Sequence, residues 1–113
     1  QWQEVVDTTA EALRLNPVSF PQDWLLNASA HFYLKHLDVA EQSALKGIQV
    51  DTQHQAPQLE HLLGVILIQK NDYRGALEHI RKYLALAPNA GDAATAQKQA
   101  QELEKMTARA DAK

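Results

Sequence analysis

The sequence predicts an all-α chain, a superhelix of about six antiparallel helices closed by a C-terminal capping helix. Three observations predict it. Apolar residues recur every three or four positions, the spacing of one helix face, and no strand-like alternation interrupts them. Only four glycines and four prolines punctuate 113 residues. One helix pattern also returns at a fixed spacing: Val5, Ala40 and Ala76 hold equivalent places 35 and 36 residues apart.

The first element is "WQEVVDTTAEALRLNP", where Trp2, Val5, Thr9, Ala12, Leu13 and Leu15 share a stripe that Pro17 stops. The second, "PQDWLLNASAHFYLKH", opens on Pro21 in a first helical turn, where the missing N–H costs nothing. The third, "LDVAEQSALKGIQVDT", repeats the first pattern through Leu37, Ala40, Ala44, Gly47, Ile48 and Val50. The fourth, "PQLEHLLGVILIQKN", repeats the second from Pro57, with the small residue Gly64 where Ala28 stood and Leu67 where His31 stood.

The fifth runs from Tyr73 to a stop at Pro88, carries Ala76, Leu77, Ile80, Leu84 and Ala87 on one side, and has Asp72 to cap it. The sixth follows Pro88, with Asn89 or Asp92 as its cap. It offers only a thin apolar stripe of Ala96, Ala100, Leu103, Thr107 and Ala110, which suits a terminal helix whose outer face meets water. The organisation expected is a single domain over 1–113. Residues 1–17 form the second helix of a partial repeat, 21–54 and 57–90 form repeats, and 92–110 form the cap.

A two-helix unit with a period in the mid-thirties resembles the tetratricopeptide repeat (TPR) family. Trp24, Ala28, Ala40 and Gly47 carry the resemblance in one repeat, and Leu63, Gly64, Asn71, Asp72, Tyr73, Ala76 and Pro88 in the next. The resemblance implies that Gly64 and Ala76 are small because paired helices touch there, and that Leu63 and Tyr73 fill the space between them. The departures are Asn27 where the family prefers leucine, Lys35 and His36 in place of the turn's glycine and acid, and Tyr83 at a normally small site.

Composition narrows the function classes. A net charge of -3 with dispersed Lys and Arg argues against nucleic acid or an anionic membrane surface as partner. No apolar run reaches the ~18 residues of a membrane span, so no membrane insertion is expected. With no cysteine there is no disulfide, thiolate zinc site or cysteine nucleophile.

His31, His36, His54, His61 and His79 show no pair at zinc-ligand spacing on one helix face, so no metal or other cofactor is expected. His31 reads as a satisfied, partly buried side chain, His61 as a residue of the hollow side, and the other three as surface. The acidic pairs Asp72/Glu78 and Glu102/Glu104 read as caps and solvated faces, and the four isolated glycines build no phosphate loop. The chain is expected not to be an enzyme.

What the resemblance implies for function is a hollow side lined by the first helix of each pair. The residues expected to contact a partner are Leu25, Ser29, Phe32, His61, Leu62 and Val65. Some family members grip a peptide's terminal carboxylate there with Lys, Asn and Arg. The residues aligned here are Leu25, Ser29, His61 and Val65, so that clamp does not carry over. The expectation is a scaffold that binds a protein or peptide segment, an apolar or amphipathic helix above all. The alternative is a structural module, self-associating as a homodimer through the Trp2 end or linking parts of a larger protein.

Overall fold

The computed structural model describes Gln1–Ala112. Among these residues the chain is six helices and no strand: α1 (Trp2–Leu15), α2 (Pro21–Tyr33), α3 (Leu37–Val50), α4 (Gln58–Gln69), α5 (Tyr73–Leu86) and α6 (Ala93–Asp111). Each helix packs on the next, and the pairs α2–α3 and α4–α5 form the tightest hairpins. The stack measures 48 × 28 × 22 Å with a radius of gyration of 14.4 Å. A compact globule of this length would have roughly 13 Å, so the stack is extended along one axis.

The two hairpin turns are built alike. Lys35 (φ 67°) and Asn71 (φ 65°) both sit in the left-handed region, 36 residues apart. In each, the next amide N–H bonds back to a carbonyl five residues earlier: His36 to His31 at 2.9 Å, and Asp72 to Leu67 at 2.9 Å. This closes the end of the helix by satisfying its last carbonyls. Asparagine tolerates the left-handed conformation and lysine does not, so the first turn carries strain that the second avoids. Asp72 then caps α5 by accepting the Gly75 N–H at 3.1 Å. The longer α3–α4 link is organised by buried Asp51, whose carboxylate accepts the N–H groups of Gln55 and Ala56, both at 2.8 Å.

Small residues set the helix spacing. A Cβ on Gly64 would stand 2.5 Å from Ile80 Cγ1, closer than real Cβ atoms approach, and a tight 3.2 Å from the Ala76 carbonyl oxygen. A Cβ on Gly47 would stand 2.7 Å from Trp24 Cβ and 2.9 Å from both Leu59 methyls. Around these contacts Leu59, Leu63, Ile66, Ile80 and Tyr83 are fully buried. Each such side chain contributes about 1.5–3 kcal/mol by leaving water. Tyr73 seals the α4–α5 hairpin from a half-buried position and donates its hydroxyl to Asn71 Oδ1 at 3.0 Å.

Asn27, at the position where leucine was expected, is buried within a polar chain across three helices. Its amide nitrogen donates to Thr9 Oγ1 at 3.0 Å, and its carbonyl oxygen accepts the Ser43 hydroxyl at 2.7 Å. Thr9 in turn donates to the Val5 carbonyl at 2.7 Å. Thr9, Asn27 and Ser43 are all buried, and no buried side-chain polar atom among the described residues lacks a partner.

Candidate functional site

Curvature follows from which helices touch. α2 meets α4 directly, whereas α3 and α5 make no comparable contact. The first helix of each hairpin therefore lies on the short side of the bend and the second on the long side. Leu25, Ser29 and Phe32 recur at four and three residues along α2, and His61, Leu62 and Val65 lie along α4. All six are half-buried. Leu25, Phe32 and Leu62 rest their inner sides on the core and leave the remainder open. The surface is apolar with amide edges, since exposed Gln22, Gln58 and Gln69 stand on the same two helices.

His61 differs from its neighbours because the chain already holds it. Its ring stacks on Tyr83 with centroids 4.8 Å apart and planes 19° apart. Nε2 lies 2.8 Å from Gln99 Oε1 and Nδ1 lies 3.3 Å from Asp92 Oδ2. Tyr83 also donates its hydroxyl to Asp92. Burial first, and then Asp92 beside it, push the Tyr83 phenol up to about 12. The same hydrogen bond, aided by His61, holds the Asp92 carboxyl below its ordinary value. Tyr83 at a normally small site is thus the platform that joins α4 and α5 to α6.

Asp92 precedes α6 but gives it no side-chain cap, because its carboxylate is turned to Tyr83 and His61. The sequence reading of Asp92 as the cap holds for its position, since its carbonyl accepts the Ala96 N–H at 3.0 Å, and fails for its side chain; the unusual tyrosine was the available signal.

The remaining histidines divide. His31 Nδ1 meets His36 Nδ1 at 3.2 Å across the first hairpin turn. Burial, and then His36, keep the His31 imidazole below its usual pKa. His36 is exposed, as read from sequence, but paired. His79 is not a surface residue: it is half-buried with Nδ1 2.6 Å from Oε1 of buried Glu60. Glu60 occupies the α4 place that Trp24 takes in α2, 36 residues earlier, and its carboxylate meets the His79 ring across the hairpin. Among the described residues no group of three or more His, Cys, Asp or Glu is arranged to hold a metal ion. No helix among them is long and apolar enough to cross a membrane.

Trp2 is 43% exposed, but its ring stacks on Tyr33 with centroids 4.5 Å apart and planes 20° apart. Most of the exposed large apolar side chains belong to the first two helices and their link. Trp2, Leu15, Val18, Phe20, Leu26 and Tyr33 lie within α1, α2 and their link, against Val39, Leu45 and Leu86 in the rest of the chain.

Stacked antiparallel hairpins, small residues at the crossings and an open inner side define a TPR-like helical superhelix, a fold class of protein-interaction scaffolds. Among solved structures the Arabidopsis OM64 TPR domain is similar, with a TM-score of 0.82 and 25% identity over 93% of this chain and 82% of that one. No protein-family model matches the chain, and no curated protein matches it.

Proposed function

We propose that the chain binds a helical segment of a partner protein on the inner surface of α2 and α4, through Leu25, Ser29, Phe32, His61, Leu62 and Val65, and catalyses no reaction. The observation that supports this is the half-burial of all six. A core residue would be sealed and a solvated face would be polar. On this reading Leu25, Phe32, Leu62 and Val65 offer partly open apolar area on the two helices of the short side, where a convex partner gains most contact, and Ser29 and His61 add polar points. Covering such area is favourable by about 25 cal/mol per Å² before the costs of association.

In this reading Leu25, Phe32 and Leu62, which rest on the core, give the surface its shape, and Val65 and Ser29 complete it. His61 is a rim already tied to α6, so it sets where the surface ends. The double substitution Leu62→Glu with Val65→Glu should abolish partner binding while the far-ultraviolet circular dichroism stays that of a helical protein. Unchanged binding would remove the assignment.

A second reading rests on the exposed apolar side chains of α1, α2 and their link, Trp2 among them: self-association through these helices. Light scattering over a hundredfold concentration range decides it. A dimer weakened by Trp2→Ser supports it, and a concentration-independent monomer counts against it.

A further inference from the structure

α4, α5 and α6 do not close on one another completely. Between them lies a cleft of about 420 Å³, whose apolar lining comes from Ile68, Tyr73, Leu103 and Met106. It continues from the proposed binding surface, because Ile68 follows Val65 by three residues on the same helix. The size falls in the range of small-ligand sites, roughly 300–1,000 Å³, so one side chain fits with room to spare.

Two charged residues stand at its rim, Lys98 and Glu102. Glu102 has a cation of its own, Lys105 Nζ at 3.5 Å. Lys98 is exposed and takes part in none of the ion pairs of the described residues. Lys98 and Glu102 stand one turn apart on α6, and with Lys105 counted beside Glu102 the three side chains leave a net charge of +1 next to the cleft.

The geometry points to an anchor site for the partner: the cleft takes one aromatic or long aliphatic side chain of an acidic amphipathic helix, and Lys98 pairs with a carboxylate beside it. This rests on the reading of the inner surface given above and extends it onto α6. It needs none of the residues aligned with the family's terminal-carboxylate clamp, since the anion is a side chain and the cation stands on the last helix.

The test uses fragments that carry this chemistry alone. Met106 is the chain's single methionine, so its methyl group gives one carbon–proton resonance inside the cleft. The full chain is titrated with 4-phenylbutyrate, its neutral amide 4-phenylbutyramide, and the cation 4-phenylbutylamine. The expected result is a saturable Met106 shift with all three, the carboxylate binding about two- to fivefold more tightly than the amide, as an exposed ion pair allows. In Lys98→Glu that preference should vanish or invert. A Met106 resonance unmoved by any fragment overturns the proposal. So does an amine that binds as tightly as the carboxylate, or a carboxylate preference that survives in Lys98→Glu. The fragments need no partner, so this outcome and that of Leu62→Glu with Val65→Glu are independent.

Discussion

Replacing Asn27 by alanine should destabilise the chain by about 3 kcal/mol, and the estimate can be built atom by atom. The substitution removes two buried hydrogen bonds, each with a net worth of about 1 kcal/mol. It strands the Ser43 hydroxyl, a buried donor that loses its only acceptor at 2.7 Å, at a cost of about 1–3 kcal/mol. Relaxation of Ser43 onto a carbonyl one turn earlier recovers part of that. Thr9 loses a donor but keeps its own bond to the Val5 carbonyl, so it adds little.

Asn27→Leu restores the lost volume and should cost less, about 1–2 kcal/mol, because the Ser43 problem persists. Asn27→Leu with Ser43→Ala removes both partners and should lie within about 0.5 kcal/mol of the parent. Urea titration followed by circular dichroism and by tryptophan fluorescence measures all three. A cost below 1 kcal/mol for Asn27→Ala, or a double variant weaker than Asn27→Ala, would refute the polar chain as a structural link between α1, α2 and α3.

The other predictions concern packing, a turn, a buried pair and pH. Gly64→Ala should cost about 2–3 kcal/mol by thermal unfolding, since its new methyl would meet Ile80 at 2.5 Å with the Ala76 backbone behind it. Lys35→Gly should raise stability by about 0.5–1 kcal/mol through relief of the left-handed backbone, while Asn71→Gly should be near neutral. Glu60→Ala should cost about 2 kcal/mol by leaving half-buried His79 without its partner, and combining it with His79→Ala should cost less than the sum.

The His31 imidazole has a depressed folded pKa, so the unfolded chain takes up the proton first as pH falls. Its stabilising contribution is complete above the unfolded value of about 6.5 and is lost as pH falls from there through the lower folded value. His31→Gln should therefore flatten the unfolding free energy between about pH 7 and pH 5, measured by urea titration at each pH.

The periodic features were legible because they are local. Helix faces need one residue type every three or four positions, and close crossings need Gly64 and Ala76, whose smallness shows in the sequence itself. The turn at Asn71 and the cap at Asp72 were legible for the same reason. What escaped was pairing over distance. His79 read as surface because nothing near it in sequence marks Glu60, 19 positions away, as its partner. Asp92 read as a cap because capping is the local use of an aspartate, and the competing use came from Tyr83 and His61 on other helices. Asn27 was visible as a departure, but its partners Thr9 and Ser43 became evident only once α1 and α3 were placed against α2. For the candidate surface, the sequence read His61 as a residue of the hollow side and carried no sign that Tyr83, Asp92 and Gln99 already hold its ring.

The inner side of the bend can be tested apart from any view of the partner's identity. A photo-crosslinking amino acid is placed at Val65 on α4, and in a second protein at exposed Lys46 on α3, on the outer side. Irradiation in the presence of a binding partner should give a covalent adduct from position 65 that Leu25→Glu prevents, and none from position 46. Adducts from position 46 with none from 65 would contradict the account.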